Sequence, residues 1–272
     1  MYLFLRVSFF VLLLWSSLCC AATVLINNNA VIETKQWPRI VFQTHNHKYI
    51  PRKVHANFDK YARGWERRIY NDTDAVLFLE KNFVPEVATA FQSLALGAHK
   101  ADLLRYALLY AFGGLYVDLD TELVVPLNYV AQLANNSLFL CHGAVGPSTV
   151  AHQPLLLRAY TGVIGGPPGS PIFLKMVEFM TRTPATHYFY NIDELTRLMK
   201  VHNVGGAKNT LPSGFASLMD GSRVFIALEE YRSTVECWDG ADRYGVCTFI
   251  TYKGEKLFKN RYADFHKWGD HL

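Results

Sequence analysis

"ADLLRYALLYAFGGLYVDLDTE", residues 101–122, decides how this chain is read. At roughly 100° per residue, Leu103, Leu104, Ala107, Leu108 and Ala111 share one arc of a helix, the face expected to bury. Asp102 and Arg105 fall on the other side, three residues apart, the spacing of an ordinary surface ion pair. Gly113 suits the left-handed position that ends a helix. The chain then enters "LYVDLD", an apolar strand with two carboxylates at its end. In a strand, residues i and i+2 point to the same side, so Asp118 and Asp120 are expected to converge on one point. Ligands of α/β sheets gather beyond the carboxyl ends of strands. Two carboxylates placed there suit a hard divalent cation bound through oxygen.

Working outward, helices and strands alternate. "PRIVFQT" (38–44) and "ERRIYND" (66–72) read as strands, and residues 54–63, 74–83 and 85–94 read as helices. This predicts an α/β fold with a mainly parallel sheet flanked by helices. In the second half, "YTGVIGGPPGSP" (160–171) reads as a Gly/Pro-rich loop, followed by the helix "IFLKMVEFM" and a possible helix "NIDELTRLMK". A glycine loop, "NVGGAKNTLPSG", precedes an aromatic-rich tail of short strands. No linker divides residues 37–272, which are expected to form a single catalytic domain after a polar connector, residues 27–36.

Half of the 272 residues are hydrophobic and 18% are charged, as expected of a globular protein. The net charge of +4 comes without any basic run or RNA motif, so nucleic acid is not an expected partner. Arg6 precedes about twenty uncharged, mostly apolar positions from Val7 to Ile26, long enough to cross a bilayer. Residues 1–26 read either as an uncleaved signal-anchor or as a signal peptide cleaved near Cys19–Ala22. Both put the remainder on the lumenal or extracellular side. The sequons at Asn71 and Asn135 fit that compartment, as does a disulfide between Cys237 and Cys247 across "CWDGADRYGVC"; Cys141 is then left free and buried.

Residues 101–122 closely resemble the glycosyltransferases that carry a DXD sequence, specifically family 32. That group includes fungal Golgi α-1,6-mannosyltransferases and inositol-phosphorylceramide mannosyltransferases. The resemblance rests on the Ala-Asp, the Arg-Tyr pair, the second Leu-Tyr, the double glycine and the acidic pair, all in spacing. It extends more weakly over residues 37–272. "WPRIVFQTHNHKYIPRK" is similar to the family's opening strand, with Phe42 and His45 standing where His and Trp are usual. "GVIGGPPGSPIFLKMVEFM" resembles its acceptor side, with Gly169-Ser170-Pro171 in place of Gly-His-Pro, and "FHKWGDH" resembles its closing His-containing segment. "NVGGAKNT" stands where Thr-Gly-Pro is often found.

The resemblance implies a GT-A fold, a Rossmann-like sheet that binds a nucleotide-sugar, and retaining transfer of a hexose to a glycan or glycolipid. GDP-mannose is the favoured donor and UDP-hexoses the runners-up. It further implies a type II membrane protein of the Golgi or endoplasmic reticulum lumen, secreted if the N-terminal segment is cleaved. Asp118 and Asp120 would hold Mn²⁺ or Mg²⁺, with His266 completing the coordination, so that the cation steadies the departing diphosphate. Asp102 would accept from donor-sugar hydroxyls and Arg105 would approach sugar or diphosphate. Gln43 and Thr44, with Asp72, would meet the nucleoside. Lys100, Lys208 and Lys267 are candidate diphosphate contacts, and no side chain is nominated as a nucleophile.

Two other classes compete. "LYVDLDTEL" also resembles the Asp-x-Asp of haloacid-dehalogenase-type phosphatases, but that pair is expected near a domain start and with a later acidic metal motif. A lumenal sugar-binding protein that kept the fold without turnover is the second.

Overall fold

The computed structural model describes residues 36–45, 50–143, 158–200, 213–232 and 247–260. The expected anchor (1–26), most of the connector (27–36), Cys237, His266, Lys208, Lys267 and the segments "NVGGAKNT" and "FHKWGDH" lie outside them.

The strands are β1 (Ile40–Thr44), β2 (Glu66–Tyr70), β3 (Gly114–Val117), β4 (Thr121–Leu123), β5 (Leu138–His142), β6 (Ala159–Gly166), β7 (Gly214–Ser217), β8 (Arg223–Arg232), β9 (Cys247–Tyr252) and β10 (Glu255–Asn260). Between them run helices α1 (Arg52–Tyr61), α2 (Asp72–Asn82), α3 (Pro85–Ser93), α4 (Gly97–Phe112), α5 (Leu127–Ala134), α6 (Pro171–Arg182) and α7 (Tyr190–Leu198). Asn71 caps α2, its side chain accepting from Asp74 N while the Asp74 carboxylate accepts from Asn71 N. Pro85 and Pro171 occupy first turns, where a missing N–H costs nothing.

The strands form one ten-stranded sheet in the order β2-β1-β3-β6-β5-β8-β9-β10-β4, with β7 added on β8. Only β1 with β2, β1 with β3, and β5 with β8 run parallel among the described pairings. The sheet is therefore mixed, which corrects the expectation of a mainly parallel one. Antiparallel pairings join β8, β9, β10 and β4 in series and add β7 to β8, and two more come from the segment 160–171. It was expected to be a loop, but its first part forms β6, a fully buried central strand antiparallel to both β3 and β5. Its glycines permit close approach and do not mark a turn. A Cβ on Gly165 would lie 2.6 Å from the carbonyl of Gly114 on β3.

Alternation along the strands splits the core into two layers. Phe42, Tyr116, Leu140 and Ile164 face α2, α3, α4, α6 and α7. Val41, Leu115, Val117, Phe139 and Cys141 face α1 and α5. Cys141 is free and buried, as expected, and its thiol donates to Val163 O at 3.3 Å. Cys247 is disulfide-bonded; the expected pairing with Cys237 involves a residue outside those described.

Helix α4 is buried almost all round from Asp102 to Tyr110. The narrow apolar arc underestimates this, because the helix lies between the sheet and α6 with no solvent face along those turns. Asp102 and Arg105 are accordingly 5% and 4% exposed, so the surface ion pair suggested by their spacing is instead a buried one. Two glycines then turn the chain at positive φ, Gly113 at 67° and Gly114 at 98°. A Cβ on Gly114 would overlap the carbonyl of Ile40 on β1, so the abrupt helix-to-strand reversal requires glycine there.

Candidate active site

The site lies where β1 and β3 end side by side. Strand β3 stops at Val117, one residue short of the acidic pair. Asp118 N still bonds Gly162 O on β6 at 2.7 Å, and the chain then turns, Thr121 N bonding Asp118 O at 3.1 Å. Asp118 and Asp120 therefore sit on a turn between β3 and β4, not on one face of a continuing strand as their spacing suggested.

Helix α4 brings its polar residues to this turn. Arg105 donates through Nη2 to Asp118 Oδ1 at 3.2 Å, stands 3.3 Å from Asp102 Oδ1, and donates through Nη1 to the carbonyl of Thr161. Its guanidinium lies over the ring of Tyr116, 4.4 Å from the centroid. The Tyr116 hydroxyl donates to Asp118 Oδ1 at 2.9 Å and meets Thr44 Oγ1 at 2.8 Å. A phenol has a single proton, so Thr44 is the donor in the second bond. Asp102 Oδ2 accepts from Asn191 Nδ2 at 2.8 Å, and its Oδ1 accepts from the Thr161 hydroxyl at 3.4 Å.

Backbone shape protects this cluster. A Cβ on Gly162 would come within 2.6 Å of Asp118 Oδ2 and closer still to the Tyr160 hydroxyl. Glycine at 162 is thus what leaves room for the Asp118 carboxylate.

The electrostatics are unbalanced toward negative charge. Burial pushes the Asp102 carboxyl up, and Arg105 and Asn191 act against that rise. Burial works against the Arg105 charge, but Tyr116, Asp118 and Asp102 outweigh it and hold the guanidinium charged. Asp120 is pushed up to about 7, first by burial and then by repulsion from Asp118. One buried cation thus faces three carboxylates. An acidic pair in this condition is what a divalent cation ligated by oxygen relieves, and the donor set of Asp118 and Asp120 fits such an ion. Among the described residues no third His, Cys, Asp or Glu joins them; His266, expected to do so, lies outside those residues.

The other expected contacts divide. Thr44 and Asp72 line one cavity of about 280 Å³ with Tyr70, Phe91 and Lys100, and Lys100 Nζ bonds Asp72 Oδ2 at 2.8 Å. The Thr44–Tyr116–Asp118 hydrogen bonds connect this cavity to the acidic turn. Gln43 is not brought to it. Strand alternation turns its fully buried side chain to the opposite face, where Oε1 accepts from Arg67 Nε at 2.7 Å.

Sequence reasoning missed Tyr116, Thr161, Gly162 and Asn191. Tyr116 was within reach, since it stands at i−2 from Asp118 in the same strand pattern. Thr161 and Gly162 were hidden by reading β6 as a loop. Asn191 carries no local signal, because its role depends on α7 docking against β6.

Residues 25–139 match the family described as glycosyltransferase sugar-binding region containing DXD motif. The chain is 30% identical over 122 residues to an uncharacterized glycosyltransferase of Acanthamoeba polyphaga mimivirus, covering 45% of each chain. It is 30% identical over 117 residues to the initiation-specific alpha-1,6-mannosyltransferase of Candida albicans, covering 40% of this chain and 30% of the relative. It is 28% identical over 111 residues to inositol phosphoceramide mannosyltransferase 1 of Schizosaccharomyces pombe, 38% of this chain and 34% of the relative. The chain spans less than half the length of these relatives. The acidic turn, the double glycine and the Asp102–Arg105 pair all lie inside the stretch that is similar to the glycosyltransferase sugar-binding region containing a DXD motif.

Proposed function

We propose that this protein is a retaining, divalent-metal-dependent glycosyltransferase of GT-A fold that moves a hexose from a nucleotide-sugar to a glycan or glycolipid. The observation that carries the reading is the buried Asp102–Arg105 pair tied to the half-buried Asp118, set against an Asp120 carboxylate that burial and Asp118 push up. GDP-mannose is the favoured donor, because two of the matched relatives are named mannosyltransferases.

Asp118 and Asp120 would hold Mn²⁺ or Mg²⁺, which when bound supplies positive charge to the diphosphate leaving group. The chain's own residues do the remainder. Tyr116 and Arg105 fix the Asp118 carboxylate by two bonds to Oδ1 and leave Oδ2 open. Arg105 presents a permanent positive charge beside the reacting centre. Asp102, steadied by Asn191 and Arg105, keeps lone pairs for donor-sugar hydroxyls. The cavity bounded by Thr44, Asp72 and Lys100 would receive the nucleoside end. Hydrogen bonds to both oxygens hold the Asp102 carboxylate in place, leaving Oδ2 able to accept one more hydrogen bond but the group poorly disposed to attack carbon. Retention is then assigned to departure and attack on one face, with a leaving phosphate oxygen taking the proton. The protein would act in the Golgi or endoplasmic reticulum lumen, with residues 1–26 as anchor or cleaved signal. Among the described residues no helix is long and apolar enough to cross a membrane.

The test is a panel of GDP- and UDP-sugars with Mn²⁺, reading released nucleotide from the full chain. Release from GDP-mannose is expected, abolished by chelation. Sugar binding without turnover on any donor would overturn transfer in favour of a binding protein, and hydrolysis of a phosphomonoester would favour a phosphatase.

A further inference from the structure

Tyr188 and Phe189 are adjacent, 54% and 40% exposed, and meet edge to face with centroids 4.9 Å apart. Two neighbouring aromatic rings left in water forgo burial worth about 2 kcal/mol each, so their exposure calls for a reason. They are also held in place. His99 Nε2 bonds the Tyr188 carbonyl at 2.9 Å, and the His99 ring packs against both Tyr188 and Tyr190. On the other flank Asp193 accepts from Arg158 at 2.8 Å and meets His187 at 3.1 Å, while the Arg158 guanidinium lies 4.5 Å from the Phe189 centroid. Asn191, two residues beyond Phe189, is the residue bonded to Asp102. The pair is thus fixed by the same short segment that completes the acidic cluster.

Its position relative to the cavity is set by helix α4. Gly97, Ala98, Lys100, Ala101 and Leu104 line the cavity, whereas His99, which holds the Tyr188 carbonyl, lies roughly opposite the centre of that arc and Asp102 about 130° round from it. Tyr188 therefore stands across the helix from the cavity, within electrostatic reach of Asp102, Asp118 and Asp120. A rigid, exposed aromatic face beside carboxylates is complementary to a pyranose, which offers one apolar C–H face and a rim of hydroxyls. The cavity face is given to the nucleotide, so the open face is left for the molecule that arrives from solvent.

We propose that Tyr188, buttressed by Phe189, is the stacking platform for the acceptor hexose. The assignment rests on the glycosyltransferase reading above. It names a sugar ring, not a lipid chain, as what the site grips on the acceptor.

The experiment uses the full chain with methyl α-mannoside, methyl β-galactoside and methyl β-glucoside as probes, read by saturation-transfer NMR. At least one hexoside is expected to show saturation of its ring C–H protons with the wild type and with Tyr188→Phe, and to lose it with Tyr188→Ala. In steady state, Tyr188→Ala should raise KM for that hexoside about tenfold, the scale of one lost aromatic contact. Hexoside binding and KM unchanged in Tyr188→Ala would overturn the platform, as would a wild type that saturates none of the three probes. Loss of acceptor-free nucleotide release in that variant would overturn the acceptor assignment by moving the ring to the donor side. If the wild type releases nucleotide from no donor, the transfer reading fails separately, while Tyr188-dependent hexoside binding still supports the platform.

Discussion

Arg105 on α4 and Asp118 at the end of β3 are joined by an ion pair of 3.2 Å, and Arg105 is almost wholly buried. The same guanidinium neutralises Asp102, so Arg105→Ala would leave a buried carboxylate without its partner. We expect that variant to lose about 3–5 kcal/mol of stability in chemical denaturation. Arg105→Lys keeps the charge but not the fork of donors, and should fold with transfer reduced at least tenfold.

Removing the Tyr116 hydroxyl deletes its bond to Asp118 and strips the Thr44 hydroxyl of its acceptor. Tyr116→Phe should cost about 1 kcal/mol of stability. Its larger effect falls on Asp118, which loses one of the two groups orienting it. The Mn²⁺ concentration for half-maximal activity should rise about tenfold or more, measured as nucleotide release against added metal.

Gly162→Ala places a methyl group against Asp118 Oδ2 and the Tyr160 hydroxyl. Overpacking of this kind costs about 1–3 kcal/mol. Transfer should fall further than stability does, because the displaced atom belongs to the site. An active Gly162→Ala enzyme with wild-type metal dependence would contradict the geometry drawn here.

Asp120 makes the metal-free protein pH-sensitive. Its folded pKa is raised from 3.8 to about 7 by burial and then by Asp118. The native state therefore holds a proton that the unfolded chain releases near pH 4. Stability from this group is present at low pH and is lost as pH rises through about 7. With EDTA present, Tm should fall between about pH 5 and pH 8 in the wild type, and Asp120→Asn should flatten that fall. The same variant should abolish metal-dependent transfer while raising Tm in EDTA at about pH 8.

Much of the first half was legible because its signals are local. The Pro85 start of α3, the glycine pair after α4 and the alternation in "RIVFQT" each depend on neighbours within a few residues, and these elements stand close to where they were expected. Thr44, Asp72, Asp102, Arg105, Asp118 and Asp120 were all named from sequence. Most of what failed was non-local. Gly162, Gly165 and Gly166 read as a loop because glycine punctuates chains, yet here Gly165 lets β6 approach β3, Gly162 makes room for Asp118 and Tyr160, and Gly166 for Leu138 and Phe173. Gln43 was grouped with Thr44 by sequence proximity, although strand geometry sends consecutive side chains to opposite faces.

By itself the sequence determined which chemistry the chain carries: two carboxylates beyond an apolar strand, an Asp and an Arg one helical turn apart, and the glycines that let helix and strand meet. These are covalent facts with short-range consequences. Only the tertiary structure decided that Asp102 and Arg105 are buried, that Tyr116, Thr161 and Asn191 hold them, and that Tyr188 stands across the helix from the cavity. Burial and cross-sheet contact arise when distant segments pack, and no local pattern of residues encodes which segment will arrive.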